Sequence, residues 1–163
     1  MTNFEHIQEK ILNLSELKHL SASWRQTAKK VVFTNGCFDL LHYGHIHYLS
    51  EAADLGNYLV IGLNSDASVQ RLKGKNRPIK DEKNRAHILA ALSFVDAVII
   101  FEEDTPYKLI QQVQPDVLVK GGDWQPEDIV GADIVAAKGG IVKSLPFIKG
   151  YSTTSLEEKI RGQ

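Results

Sequence analysis

Cysteine is nearly absent from this chain of 163 residues, because Cys37 is the single one. No intrachain disulfide can form, which favours a reducing compartment. Long apolar runs are also missing: the longest, 97–101, is far too short to span a bilayer, and residues 1–10 lack the apolar core of a signal peptide. These absences predict a cytoplasmic protein with no membrane partner.

Neither sign of charge is in excess. Lys and Arg number 19 and Asp and Glu number 20, which gives a formal net charge of −1. Such a balance argues against a protein that coats nucleic acid or an anionic membrane surface. We therefore expect no nucleic-acid partner.

The length and composition are ordinary for one globular domain. A chain of 163 residues buries enough surface to hold a core without disulfides or structural metal. Hydrophobic residues make up 43% of the chain and charged residues 24%, which is usual for a soluble fold.

The first 29 residues have a helical pattern that sets them apart from the rest. Ile7, Ile11, Leu14, Leu17 and Leu20 recur at helical spacing. This spacing predicts an N-terminal helical extension over 1–29, with one or two helices that end in polar turns near Ser21 and Ser23. We expect it to pack on a core domain formed by 30–163.

Short apolar runs alternate with helical patterns along the core domain. The runs lie at 31–33, 59–63, 95–101, 117–119 and 141–145. They are continuous, as expected of strands that are covered on both faces. Helices are predicted over 126–137, from the cap Thr105 with Pro106 as first helical residue, and from about Thr153. The order predicts an α/β fold: a Rossmann-like, doubly wound, parallel five-stranded sheet.

The loop after the first strand has the strongest functional pattern. In such sheets ligands bind at the carboxyl ends of strands, near the switch point. Here the strand leads into Asn35-Gly36, and a helix begins near His42 and His45, which are three residues apart and face the same side. A helix N-terminus attracts anions, and two imidazoles can donate to phosphoryl oxygens. Gly44 between them lets a bulky ligand approach the backbone. The nucleotide fingerprints G-x-G-x-x-G and G-x-x-x-x-G-K-[ST] do not occur in the chain.

Three segments together resemble the H-x-G-H nucleotidyltransferase superfamily. Residues 36–45 (GCFDLLHYGH) resemble its H-x-G-H signature, 119–124 (VKGGDW) the loop after its fourth strand, and 150–154 (GYSTT) its C-terminal Ser/Thr phosphate motif. The chain is most similar to the adenylyltransferases of ADP-heptose synthesis, from about residue 10 to the end.

The resemblance implies a reaction and its substrates. AMP would pass from ATP to a sugar 1-phosphate, D-glycero-β-D-manno-heptose 1-phosphate, with release of pyrophosphate, to give ADP-heptose for lipopolysaccharide core synthesis. Mg²⁺ would be carried with the ATP, a separate sugar kinase would supply the acceptor, and a homodimer is compatible with the family. No protein metal ligand is expected. The predicted catalytic residues are His42, His45 and Arg85. The predicted nucleotide-binding residues are Thr34, Asn35, Gly36, Phe38, Gly44, Lys73, Lys120, Gly122, Asp123, Ser152, Thr153 and Thr154.

Charged residues near these motifs have open interpretations. The segment 71–77 has four positive charges and no acid, so it is either a solvated basic loop or a loop that covers the site and neutralises phosphates. Arg85 contacts phosphate or pairs with Asp81 or Glu82 beside it. Asp39 touches magnesium or orients a neighbour.

A protein-bound zinc site is an alternative for the histidine cluster, because His42, His45, His47 and Cys37 lie within eleven residues. His47 points away from the other two histidines on one helix, and neither a zinc hydrolase spacing nor a C-x-x-C pair occurs. This pattern disfavours zinc.

Two other functions share the same motifs. A cytidylyltransferase that acts on glycerol 3-phosphate or a similar alcohol phosphate would also carry them, and so would a nucleotide sensor without catalysis. An aminoacyl-tRNA synthetase is excluded, because the chain lacks a K-M-S-K-S segment and the length for tRNA-binding domains.

Overall fold

The computed structural model describes residues 1–162 and contains one five-stranded parallel sheet. The strand bounds are β1 Val31–Gly36, β2 Tyr58–Asn64, β3 Ala97–Phe101, β4 Val117–Gly121 and β5 Ile141–Leu145. The strands lie in the order β3-β2-β1-β4-β5, so the predicted Rossmann-like α/β fold is confirmed.

Helices connect the strands and precede the first of them. Two lie before β1, namely α1 Asn3–Glu9 and α2 Leu14–Gln26. The others are α3 Tyr43–Ala53, α4 Asp66–Lys73, α5 Glu82–Ala90, α6 Tyr107–Val113, α7 Ala132–Ala137 and α8 Thr153–Arg161. Within residues 1–162 we find no helix with both the length and the apolar character needed to cross a membrane.

The core has two halves, one on each face of the sheet. Phe33 belongs to the half that also contains Leu118 and Ile110, whereas its neighbour Val32 belongs to the half with Leu49 and Ile61. Successive strand residues point to opposite faces, so a strand that is covered on both faces needs apolar side chains at every position. This explains why the strand runs are continuous in the sequence.

The N-terminal helices pack directly on the sheet. Leu17 and Trp24 of α2 are buried in the core. Between α1 and α2, the backbone pairs with β3: the Val98 N–H donates to the Lys10 carbonyl (2.8 Å) and the Leu12 N–H donates to the Val98 carbonyl (2.9 Å). The N-terminal segment therefore covers an edge of the sheet that would otherwise be open.

The predicted end of the N-terminal helices near Ser21 and Ser23 is wrong, because α2 continues to Gln26. Ser21 is fully buried inside the helix, and its hydroxyl donates to the Lys18 carbonyl three residues earlier (3.2 Å). A serine that bonds back to its own helix in this way is compatible with the helix interior. Its polarity therefore did not indicate a turn.

The helix predicted over 126–137 is interrupted. A single 3-10 turn spans Pro126–Asp128, and Gly131 then adopts a φ of +88° before α7 begins. Gly131 supplies a left-handed conformation that a continuous helix cannot contain. Helix α6 begins one residue later than predicted, because Pro106 is its N-cap and Tyr107 is its first helical residue.

The strand pairing opens a cleft between β1 and β4. β1 pairs with β2 along its whole length, from Val31 opposite Tyr58 to Gly36 opposite Leu63. Its pairing with β4 is limited to two positions, Val32 with Val117 and Phe33 with Leu118. Chain connections leave β1 and β4 in opposite directions at this point, so the cleft lies at the switch point, where α/β sheets bind ligands.

Candidate active site

A cavity of about 190 Å³ occupies this cleft and brings the predicted motifs together. Its walls come from the ends of β1 and β4, the first turns of α3 and α8, the end of α4 and the loop before α8. The lining residues are Asn35, Gly36, Cys37, Phe38, Asp39, His45, Tyr48, Lys73, Lys120, Gly121, Phe147 and Thr153.

Tyr48 of α3 lies between the two diverging strands. Its hydroxyl is hydrogen-bonded to the Thr34 hydroxyl of β1 and to the backbone of Gly121 in β4. Burial raises the pKa of Tyr48 to about 12, so the phenol stays protonated. Thr34 is fully buried with its hydroxyl engaged in this bond, which corrects its predicted role as a nucleotide contact.

The two histidine rings lie in contact at the start of α3, tilted by 34° to each other. His42 is the N-cap, and its backbone N–H donates to Nδ1 of His45 at 3.3 Å. The ring centroids are 3.9 Å apart. Because Nδ1 of His45 accepts this bond, the proton of its neutral ring lies on Nε2, which is free to donate to a ligand.

Gly44 makes this arrangement possible. A Cβ at this position would lie 3.0 Å from Cε1 and 3.1 Å from Nδ1 of His42, and 3.4 Å from Cβ of Tyr151. The space beside Gly44 is therefore occupied by the His42 ring and by Tyr151, and the approach of a ligand to this backbone stays a prediction. His45 lines the cavity, whereas His42 lies against the outer side of the His45 ring.

Both imidazoles are neutral near pH 7. Burial, together with the smaller effects of the neighbouring His42 and Lys73, lowers the pKa of His45 to about 4. Burial also lowers the pKa of His42. The pair can therefore offer neutral N–H donors, not full positive charges, to a ligand.

The first turn of α8 faces the cavity across from α3. Ser152 is the N-cap, and its hydroxyl accepts from the Ser155 N–H at 3.0 Å. Thr153 lines the cavity, while Ser152 and Thr154 are exposed beside it. The N–H groups of a first helical turn lack helical acceptors, so this turn can bind an anion.

Lys120 at the end of β4 lies beside two aromatic residues from the loops that follow, Trp124 and Phe147. Lys120 lines the cavity, its Nζ lies 5.2 Å from the ring centroid of Trp124, and burial lowers its pKa. Gly122 has a φ of +113°, and a Cβ there would lie 3.1 Å from the Phe147 ring. Gly122 thus shapes the turn that holds Phe147 in place, and Asp123 next to it is exposed outside the cavity.

The basic segment 71–77 divides into different roles. Lys73, the last residue of α4, lines the cavity. Arg71 instead pairs with Asp104 at 2.9 Å, and Arg77 pairs with Asp39 at 3.0 Å and contacts Glu157. Lys75 is exposed outside the cavity lining. Of the four positively charged side chains in this segment, Lys73 is therefore the one that lines the cavity, where it could neutralise a phosphate.

Arg85 lies beneath the site instead of inside it. It is 1% exposed, and its guanidinium donates to the carbonyls of Lys80 (2.9 Å), Cys37 (2.7 Å) and Asn64 (2.8 Å) and to Asp66 Oδ1 (2.7 Å). The predicted phosphate contact is corrected, because these four bonds hold the guanidinium in the protein interior. Its partner is Asp66 and not Asp81 or Glu82. Arg85 fixes the loop after β1 to the end of β2.

Asp39 likewise holds neighbouring segments of the chain together. Its carboxylate accepts from the Ile79 N–H (2.8 Å), the Lys80 N–H (2.9 Å) and the Arg77 guanidinium (3.0 Å). Burial raises its pKa, but these three donors outweigh burial, and the net pKa is lowered. Of the two expected roles, orientation of neighbours is the one that the geometry supports.

Known proteins match this chain in sequence and in fold. A family model described as cytidylyltransferase-like matches residues 33–158, which is more than half of the chain.

The chain belongs to the cytidylyltransferase-like family.

Curated relatives of this cytidylyltransferase-like domain are much longer. This chain is 56% identical over 151 residues to the bifunctional protein HldE of Citrifermentans bemidjiense. The matched region covers 93% of this chain and 31% of that protein. This chain is 54% identical over 159 residues to the HldE of Geobacter metallireducens, covering 96% and 32%. The chain thus spans about a third of the length of these relatives.

Solved structures share the fold. The lipopolysaccharide core biosynthesis protein from Thermoplasma volcanium is 35% identical, with 76% of this chain and 99% of that chain covered and a TM-score of 0.59. The pantoate-β-alanine ligase from Francisella tularensis is 16% identical, with 93% and 76% covered and a TM-score of 0.60, and this likeness shows the fold alone. Together with the family model, the first of these confirms the predicted superfamily, so the chain is a nucleotidyltransferase-type domain.

The positions of the histidines in this cytidylyltransferase-like domain bear on the zinc interpretation. Among residues 1–162, no group of three or more His, Cys, Asp or Glu side chains stands close enough to hold a metal ion. Nδ1 of His47 lies 3.6 Å from Glu51, one helical turn further along α3. The arrangement therefore does not support the zinc interpretation.

Two lining residues, Tyr48 and Phe147, lie outside the segments that the sequence singles out, whereas Cys37, Asp39 and Gly121 lie within those segments but were not predicted as nucleotide contacts. Tyr48 follows the H-x-G-H segment on the same helix face as Gly44 and His45, so helical spacing could have indicated it. Phe147 carries no such signal, since it stands in an irregular loop and is 62% exposed. It reaches the cavity because Gly121 and Gly122 leave space for its ring.

The lowered pKa of His45 predicts a specific pH dependence. In an NMR titration, we expect its imidazole to protonate with a midpoint near pH 4, not near the usual value of about 6.5. The unfolded chain then binds a proton in this window that the folded chain does not, so His45 lowers stability as pH falls from about 6.5 to about 4. Urea unfolding at pH 7 and pH 5 should show a smaller pH effect for His45→Gln. A titration midpoint of about 6.5 for His45 would contradict the inference that burial of its ring lowers the pKa.

Proposed function

We propose that this domain transfers AMP from ATP to the phosphate of a sugar 1-phosphate and releases pyrophosphate. The observation that carries the proposal is the cavity in which His45, Thr153, Lys73 and Lys120 meet at the switch point of the sheet. These groups are anion binders supplied by four different segments, as a triphosphate and a phosphorylated acceptor require. The resemblance to the adenylyltransferases of ADP-heptose synthesis supports D-glycero-β-D-manno-heptose 1-phosphate as the acceptor, and a relative named as a lipopolysaccharide core biosynthesis protein agrees with it.

The chemical step needs positioning more than acid or base catalysis. An oxygen of the acceptor phosphate attacks the α-phosphorus of ATP, the bond from that phosphorus to the bridging oxygen breaks, and pyrophosphate leaves with the electron pair. The attacking phosphate is already anionic, so no general base has to remove a proton. Rate enhancement then comes from alignment of the reactants and from stabilisation of charge in the transition state.

The histidine pair suits the α-phosphoryl group. His45 donates from Nε2 into the cavity, and His42 lies against it at the positive end of α3. Neutral donors held in fixed orientation can stabilise the additional charge on the phosphoryl oxygens in the transition state without a strong ion pair to the ground state. On the opposite wall, the first turn of α8 suits the β- and γ-phosphates.

Lys73 and Lys120 suit the acceptor phosphate and the pyrophosphate. Both line the cavity, where the single carboxylate among the described lining residues is Asp39, which is already bonded to three donors. The ammonium groups are therefore available for phosphate. Gly121 and the Phe147 ring leave an apolar surface beside them for a base or a sugar.

Magnesium is proposed to arrive with ATP. The described cavity offers lysines, imidazoles and hydroxyls, and its carboxylate is engaged, so phosphate oxygens and water would supply the ligands. When bound, Mg²⁺ neutralises charge on the triphosphate. Thr153, Lys73 and His45 orient the phosphates around it.

We expect a sugar kinase to supply the acceptor, because phosphorylation of a sugar at its anomeric carbon yields a sugar 1-phosphate. The curated relatives are named bifunctional and are about three times as long as this chain. This supports a sugar kinase activity acting before this domain. The cytoplasmic location and the homodimer stay predictions.

Pyrophosphate release from defined substrate pairs tests the proposed function. We expect turnover with ATP and D-glycero-β-D-manno-heptose 1-phosphate, and none when either is omitted. Turnover with CTP and glycerol 3-phosphate alone would identify the domain as a cytidylyltransferase, which the name of the family model favours. Tight nucleotide binding without turnover on either acceptor would identify a nucleotide sensor.

A further inference from the structure

Helix α8 is weakly held for an element that carries part of the site. Within residues 1–162 it contributes no fully buried side chain, and Ile160 near its end is 68% exposed. Apolar burial is the main source of packing stability, so α8 gains little from it. Its first turn nevertheless has to keep Thr153 at the cavity.

Polar contacts on one face of α8 compensate for the missing apolar packing. Glu157 lies four residues after Thr153, one helical turn along the same face. Its carboxylate contacts the Arg77 guanidinium, and both side chains are only 18% exposed. An ion pair of this low exposure, made by a guanidinium, is less screened than a surface pair.

The second nitrogen of the Arg77 guanidinium bonds to Asp39, which lines the cavity. Nη1 of Arg77 lies 3.0 Å from Asp39 Oδ2, and the Asp39 side chain is 2% exposed. Asp39 also accepts the backbone N–H groups of Ile79 and Lys80, so the loop after β1 and the segment before α5 form one unit. Arg77 therefore joins α8 to this unit through two carboxylates.

We propose that Arg77 and Glu157 are positioning residues that hold the first turn of α8 against the cavity. This inference rests on the proposed nucleotidyl transfer, in which that turn binds the β- and γ-phosphates. We name the arrangement of Asp39, Arg77 and Glu157 the α8 clasp. Neither Arg77 nor Glu157 lines the cavity, so the clasp acts through Thr153 and its neighbours.

Glu157→Ala tests the clasp, with Glu158→Ala as the matched control. Glu158 is the next residue of the same helix and is exposed. We expect Glu157→Ala to raise KM for ATP about fivefold to tenfold, the size of a typical pairwise coupling, with kcat within about twofold of wild type. A clasp that only positions the phosphate-binding turn alters binding in the ground state and in the transition state alike. Glu157→Gln should lie between Glu157→Ala and wild type, and Glu158→Ala should match wild type.

Amide hydrogen exchange without nucleotide tests the clasp separately from the reaction. The amides of α8 should exchange faster in Glu157→Ala than in Glu158→Ala, with those of β1 unchanged. Unchanged exchange in α8 would overturn the clasp. Faster exchange, or a lower melting temperature, with unchanged KM would reduce the pair to a merely structural contact and also overturn the proposal. If wild type shows no turnover, the proposed function fails and the role of the clasp in it fails too, whatever the exchange data show.

Discussion

Replacing His45 with alanine is expected to lower kcat by about 10²-fold or more, the usual loss when one transition-state donor is removed. His45 lines the cavity, and the backbone N–H of His42 donates to its Nδ1, so Nε2 is the ring nitrogen that is available to donate to a ligand. Water that enters the space left by the ring can donate a hydrogen bond but is not fixed in direction. The loss should therefore appear in kcat more than in KM.

His47→Ala is the matched control for this loss. His47 lies on the same helix two residues away, outside the cavity lining, with Glu51 as its neighbour. We expect near wild-type turnover. His45→Gln, whose amide nitrogen can reach the position of Nε2, should recover part of the activity. Wild-type kcat in His45→Ala, measured by pyrophosphate release at saturating substrates, would refute the donor role.

Arg85→Ala is expected to lower the free energy of unfolding by about 3 kcal/mol or more, because it removes a buried charge-assisted network. Arg85 is the largest fully buried side chain in the described protein. Without it, the carbonyls of Cys37 and Asn64 lose their guanidinium donor in the interior, and a cavity remains below the loop after β1. Urea denaturation followed by circular dichroism measures this loss.

Arg71→Ala provides the contrast for Arg85→Ala. Arg71 is also an arginine paired with an acid, Asp104, but its side chain is 49% exposed, so we expect a change below about 1 kcal/mol. The free energy of unfolding of Arg85→Lys should lie between those of Arg85→Ala and wild type, since an ammonium cannot reproduce the planar set of donors. If Arg85→Ala retained wild-type stability and lost only kcat, the sequence-based assignment of Arg85 as a phosphate contact would be restored.

The fold was predictable because its pattern is local. Continuous apolar runs such as 59–63 predicted strands that are covered on both faces, and β2 lies there. The strand ends and helix starts then indicated which loops meet at the switch point. The predictions that failed concern single residues whose environment is set by distant chain segments. Ser21 has a polar side chain but a fully buried position, and Gly131 breaks a pattern that otherwise favours one helix.

The candidate site was predictable to the same extent. His42, Gly44 and His45 belong to one helical turn, so their spacing fixes their mutual geometry, and the structure brings His45 to the cavity. Thr153 and Lys120 were predicted from their positions at a helix start and a strand end, and both line the cavity. Thr34 and Arg85 were assigned to the ligand from the same kind of position. Their partners, Tyr48 and Asp66, hold them inside the protein.

The sequence by itself determined the class of fold, the placement of His42, Gly44 and His45 on one helical turn, and a balance of charge that argues against a nucleic-acid coat. Only the tertiary structure decided which charges are free. Arg77 and Asp39 are 38 residues apart in the chain, and Arg85 and Cys37 are 48 apart, yet they bond directly. A charge that meets an acceptor in the interior loses its freedom to bind a ligand, and such meetings depend on how distant segments pack. Among the four basic residues of the 71–77 segment, packing left Lys73 at the cavity.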